Sequence, residues 1–141
     1  MAHAGNILAI VTAAIAAWLF GGIYYSSLTV PWLRSMGKTL DQHKAEYAAR
    51  SGVAKAAPFI LAFVGELIMA WAMYGILLHM NMFTLRAGAI TGAACWLGFV
   101  LTTITVNNAF ADREPMLSVI DSIAWLGAMV IIGAIIGWFG P

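Results

Sequence analysis

Charge is what this sequence has least of. Of its 141 residues, 9% are Asp, Glu, Lys or Arg and 62% are hydrophobic, where an ordinary soluble domain is about 25% charged. That scarcity excludes a water-soluble globule and predicts an integral membrane protein. A basic excess is lacking too, with seven Lys and Arg against six Asp and Glu. No surface is expected that could neutralise nucleic-acid phosphates, so nucleic acid is excluded as a partner. Cysteine is nearly absent. Cys95 stands alone in an apolar run, which excludes an intramolecular disulfide and a thiolate-based zinc or iron–sulfur site. His3, His43 and His79 show no metal-ligand spacing, and there is no G-x-S-x-G elbow, glycine-rich phosphate loop or Cys/His pair. No metal, cofactor or catalytic residue is expected, although the composition is compatible with a bound lipid.

What the chain does have is long apolar runs. Residues 5–25, 58–80, 87–106 and 116–139 each supply the roughly 20 apolar residues that a membrane span needs. They predict an all-α membrane protein, a bundle of four transmembrane helices forming one domain. The opening run MAHAGNILAIVTAAIAAWLF lacks the basic leader of a signal peptide and outruns an h-region, so it is expected to stay as the first helix. Pro58 and Pro115 are read as first-turn prolines that open the second and fourth helices.

The one substantial polar segment lies between the first two spans. Thr39 and Gln42 have capping-box spacing, and Gly52 is placed to end a helix after Ser51, so a short cytoplasmic surface helix is predicted there. Trp32, Leu33 and Met36 are expected at headgroup level. Arg34, Lys38, Lys44, Arg50 and Lys55 all fall in this segment and Arg113 in the loop before the fourth span, which leaves Arg86 alone on the other side. By the positive-inside rule both loops are cytoplasmic and both termini lie outside.

Helices in lipid associate through small residues and hydroxyls. Gly88, Thr91, Cys95, Gly98, Thr102 and Thr105 alternate at steps of three and four along one face of the third span. Ala13, Ala17 and Gly21 make a weaker stripe on the first span, and Gly133 and Gly137 form a GxxxG pair on the fourth. With more than two such faces among four helices, a homo-oligomer or a place in a larger membrane complex is expected, in contact with membrane lipids.

Two acids, Glu66 and Asp121, fall inside predicted spans, where a carboxylate costs about 2.5 to 3.5 kcal/mol on insertion scales. The topology predicts that Glu66, Asp121, Asn107, Asn108 and the Tyr24, Tyr25, Ser26, Ser27 run share the cytoplasmic half, walled by Thr102 and Thr105. Two readings stand. One is a cytoplasm-facing cavity in which Glu66 exchanges a proton or holds a cation. The other is a polar clasp in which the same groups hydrogen-bond between helices and fix their register. An enzyme would have to work with Glu66, Asp121 and a tyrosine alone.

The segments GGIYYSSLTVPWLRSMG and FADREPMLSVIDSIAWLGAMVIIGAIIGWF resemble a bacterial family of small four-span membrane proteins catalogued as a domain of unknown function, the one numbered 1761. Gly22, Tyr24, Tyr25, Ser26 and Trp32 carry the resemblance, and Ser27 stands where the family commonly has proline. The resemblance covers nearly the whole chain. It implies the same topology in the bacterial cytoplasmic membrane and brings neither substrate nor catalytic residue. The chain is therefore read as a self-associating bundle or accessory subunit of a larger membrane complex. The alternatives are a small transporter or channel using Glu66 and, behind it, a membrane-embedded enzyme acting on an apolar substrate.

Overall fold

A computed structural model describes residues 2–141, with side chains from residue 6 onward. The chain folds into α1 (Ala2–Ser27), α2 (Thr29–Ser35), α3 (Leu40–Ala49), α4 (Gly52–Met80), α5 (Leu85–Cys95), α6 (Thr102–Phe110) and α7 (Pro115–Phe139), with a π-helical turn at Trp96–Leu101 joining α5 to α6. Four stretches are long and apolar enough to cross a membrane: Asn6–Ser27, Gly52–Met80, Leu85–Phe110 and Pro115–Phe139. The protein is a four-span helical membrane protein with two short helices, α2 and α3, between its first and second spans. The end that carries these short helices and Arg113 is called the basic end below.

Local chemistry sets most of the boundaries. The Thr39 hydroxyl accepts from the Gln42 amide at 3.2 Å while the Gln42 side chain accepts from the Thr39 amide at 2.9 Å, so the capping box opens α3. Pro115 occupies the first turn of α7. The start of the second span differs from the sequence reading. Ser51, not Pro58, is its boundary: the Ser51 hydroxyl accepts from the Ala54 amide at 3.3 Å, and Pro58 lies inside α4. Gly52 therefore opens α4 and does not close α3, which ends at Ala49 with Arg50 extended. A serine cap satisfies an orphan amide outright. Pro58, about two turns further on, takes away only the amide that the Ala54 carbonyl would have used.

The fourth span is the centre of the bundle. Helices α1, α4 and α5 all pack against α7, and α1 also packs along α4. Ala13, Ala17, Ala70, Leu77, Ile132 and Ile136 are completely buried where these helices meet. The α5–α7 contact is backbone on backbone. A methyl added to Gly88 would lie 2.6 Å from the Gly133 carbonyl carbon, and one on Gly137 would press on the Thr84 carbonyl. Gly92 faces the carbonyl of Met129 in the same way. Each step of four along one helix is answered by a step of four back along the other, as antiparallel 4-4 ridges require.

That pairing stops at the π-helical turn. Above it Gly88 and Gly92 are buried, and below it α6 contains no buried residue. A π turn holds an extra residue within the helix and changes the direction in which the following side chains point. Phe99 in the turn and Phe110 at the end of α6 are 73% and 90% exposed, so the lower half of the third span faces outward along most of its surface.

Candidate functional site

The tyrosine pair predicted from the sequence lies beside α7 at the basic end. Tyr24 donates to the Ile120 carbonyl at 2.9 Å, and Tyr25 donates to Asp121 Oδ1 at 2.8 Å. Consecutive residues on a helix point about 100° apart, so the two hydroxyls straddle the fourth span and take its backbone and its one acid. The Trp32 indole of α2 lies within reach of the same carboxyl. The hydroxyls of Ser26 and Ser27 instead bond back to carbonyls of their own helix, Gly22 (2.6 Å) and Ile23 (2.8 Å), and that of Thr29, the first residue of α2, donates to the Tyr25 carbonyl of α1 (3.0 Å). Such back-bonding bends helices, and here it accompanies the break between α1 and α2 at Leu28.

From this acid a chain of rings runs out to the surface helix. Tyr24 and Tyr25 are 5.4 Å apart edge to face, Tyr25 and Trp32 5.6 Å, Trp32 and His43 6.4 Å, and His43 and Tyr47 6.4 Å. The Lys55 ammonium closes the series 5.4 Å from the centre of the Tyr47 ring. Tyrosine and tryptophan pairs in such edge-to-face geometry are worth about 0.5 to 1.5 kcal/mol beyond their burial. Together these contacts tie α1, α2, α3 and the start of α4 to Asp121.

Glu66 belongs to a different level. It is 4% exposed, and its Oε2 is buried without a partner. The Trp18 indole donates to the Phe59 carbonyl at 3.0 Å, which places those two residues side by side. Trp18 is seven residues before Tyr25 and Glu66 is seven after Phe59 on the antiparallel neighbour. Each interval is about 10 Å of helix, so Glu66 lies about 20 Å deeper than the Tyr25–Asp121 bond. The expected convergence of the two acids at one level is thus corrected. Its cause is the helix start: α4 begins six residues before Pro58, which carries Glu66 well into the bundle.

The remaining predicted residues divide between the two halves of the third span. Gly88 lies against Gly133 and Gly137, while Thr91 and Cys95 are half-buried beside them, with the Thr91 hydroxyl on the Ala87 carbonyl at 2.8 Å. Gly98, Thr102 and Thr105 are exposed, and the two hydroxyls bond to carbonyls of their own helix. Asn108 reaches α7 and donates to the Ser118 hydroxyl at 3.0 Å, whereas Asn107 is exposed. Ala13 and Ala17 are buried, and Gly21 has open space where a side chain would be. His43 belongs to the ring chain, exposed His79 contacts the Gly75 carbonyl at 2.7 Å, and the His3 side chain lies outside the described residues.

The sequence reading missed three anchors. Gly92 lies one turn from Gly88 and could have been found from that spacing. The indole N–H groups of Trp18 and Trp96, the latter donating to the Ser122 carbonyl at 2.7 Å, could not, because their acceptors are backbone atoms of distant helices. Two grooves open at the basic end. One, of about 430 Å³, lies between α2 and α3 and is lined by Leu33, Arg34, Lys38 and Leu40; the other, of about 320 Å³, lies between α6 and α7. Glu66 lines neither.

Residues 8–137, which take in both the ring chain and the α5–α7 pair, match a family described as a protein of unknown function (DUF1761), and the chain belongs to that family. No curated protein and no solved structure matches it.

Proposed function

We propose that this DUF1761 protein is a non-catalytic membrane bundle that acts by association, pairing with a second copy through the lower half of its third span, in the bacterial cytoplasmic membrane with its basic end in the cytoplasm. One observation carries this reading. The face bearing Gly98 and Thr102 has the one-turn, small-residue spacing that lets helix backbones approach in lipid, yet nothing lies within 4 Å of where a Gly98 side chain would be. The same helix above the π-helical turn uses such spacing against α7. The cytoplasmic placement is supported by six of the seven basic residues lying at one end of the bundle.

The test is a change of state in membranes. With Cys95 replaced by alanine and Thr102 by cysteine, a short bifunctional thiol reagent is expected to give a cross-linked dimer on native vesicles, and Gly98→Leu is expected to abolish it. A monomeric mass in several mild detergents, together with no cross-link in vesicles, would refute the reading.

The unpartnered Glu66 carboxyl favours a second reading, proton or cation movement through the bundle, since an intramembrane acid without a partner is a site by default. Protein in liposomes is then expected to dissipate a pH or cation gradient, and Glu66→Gln to stop it. Equal flux in the parent and the variant would overturn this reading.

A further inference from the structure

The groove between α6 and α7 points to a bound phospholipid. Its walls are Leu101, Thr105 and Ala109 on one side and Pro115, Ser118 and Val119 on the other, with Arg113 at the basic end. The wall polar groups are already engaged: the Thr105 hydroxyl donates to the Leu101 carbonyl at 2.8 Å, and the Ser118 hydroxyl accepts from Asn108 at 3.0 Å. The groove therefore offers an occupant an apolar lining.

Depth narrows the choice of occupant. Helix α6 has nine residues, about 13 Å at 1.5 Å per residue, which is close to one leaflet of a hydrocarbon core about 30 Å thick. Water in such a space would need polar partners that the wall does not offer, whereas an acyl chain of that leaflet needs none.

Arg113 defines the other end of the ligand. Among the described residues the one ion pair is Lys38–Glu46, so the Arg113 guanidinium has no carboxylate within 4 Å although Asp112 and Glu114 flank it. Its own amide is bonded to the Asn108 carbonyl at 2.9 Å, which fixes the loop at the groove mouth. A guanidinium at headgroup depth over an apolar slot fits a phosphodiester carrying an acyl chain, and its planar fork accepts phosphate oxygens in pairs. We propose that this groove holds one phospholipid, with its phosphate on Arg113 and one acyl chain between Leu101, Thr105 and Val119. Gly98 and Thr102, which carry the pairing reading, are not among the lining residues of this groove, although Thr105 of the same stripe is.

Native mass spectrometry of the full chain in mild detergent, titrated with phosphatidylglycerol, tests the proposal. The parent protein is expected to retain one lipid, and Arg113→Gln to bind about tenfold more weakly, the loss of one charge-assisted contact. Val119→Trp fills the slot from the α7 side and is expected to remove the adduct with an unchanged far-UV spectrum. Diacylglycerol, which has the chains without the phosphate, is expected to bind the parent about as weakly as phosphatidylglycerol binds Arg113→Gln. Thr102→Leu is expected to retain the lipid whether or not it changes the oligomer, which separates this site from the pairing reading. Equal retention by the parent and Arg113→Gln, equal affinity for diacylglycerol, or no adduct on the parent would each overturn the proposal.

Discussion

Replacing Gly88 by alanine should loosen the bundle at its tightest contact. The added methyl would stand 2.6 Å from the Gly133 carbonyl carbon and 3.3 Å from the Gly137 Cα, while carbon atoms prefer about 3.5 to 4.0 Å. Both obstacles are backbone, so no rotamer change can relieve the clash and α5 must move from α7 by about 1 Å. Inserting a methylene into a tight core costs about 1 to 3 kcal/mol. Alanine returns up to about 1 kcal/mol through its better helix propensity. The net loss expected is about 1 to 2 kcal/mol, roughly a tenfold shift in the folded-to-unfolded ratio. Reversible unfolding in mixed detergent micelles, followed by tryptophan fluorescence, measures it. Gly65→Ala and Gly75→Ala are the controls, because a methyl at either position meets nothing within 4 Å; they should be neutral or slightly stabilising. If Gly88→Ala unfolds at the same point as these controls, the backbone-on-backbone contact is not what holds α5 to α7.

Three further outcomes are expected. Tyr25→Phe deletes the donor to Asp121 and should cost about 1.5 to 3 kcal/mol if that carboxyl is charged, whereas Tyr24→Phe, which loses a bond to a neutral carbonyl, should cost about 1 kcal/mol; the same unfolding assay ranks them. Thr39→Ala removes the cap of α3 and should lower stability by about 1 kcal/mol, seen as faster amide exchange within Leu40–Ala49. The Lys38 ammonium, hydrogen-bonded to Glu46 at 2.6 Å, holds that carboxyl below the ordinary glutamate range. Its contribution is therefore present above that range and lost as the pH falls through the lowered value. The amide protection factors in α3, which correct for the intrinsic pH dependence of exchange, should fall in acid below about pH 4, and Lys38→Ala should remove that acid-dependent step.

How much of this could be read in advance depended on how local the physics was. The four spans follow from hydropathy because lipid leaves a long apolar run no other conformation. The cap of α3 was legible because Thr39 and Gln42 are three residues apart and satisfy each other. Pro58 misled because a proline looks like a helix start wherever a first turn is allowed, while the serine cap seven residues earlier was the stronger signal. The stripe from Gly88 to Thr105 assumed a uniform helix, and nothing in the composition of Trp96–Leu101 shows that the helix changes its winding there. The pairing of Tyr25 with Asp121 spans 96 positions, so it became visible only once α1 and α7 lay side by side.

The π-helical turn acts as a phase shift between two halves of one rod. A stripe drawn through it on a regular helical net belongs to one neighbour above and to another surface below, so a single span can grip its own bundle and present itself to lipid or to another copy. Deleting one residue from Trp96–Leu101 would restore the regular winding and turn everything beyond it by about 100°. The outward-facing half would then swing relative to the fourth span, although every exposed side chain would keep its chemistry. The tolerance of this span to insertion and deletion should therefore be lowest at its middle, where no buried side chain marks the place.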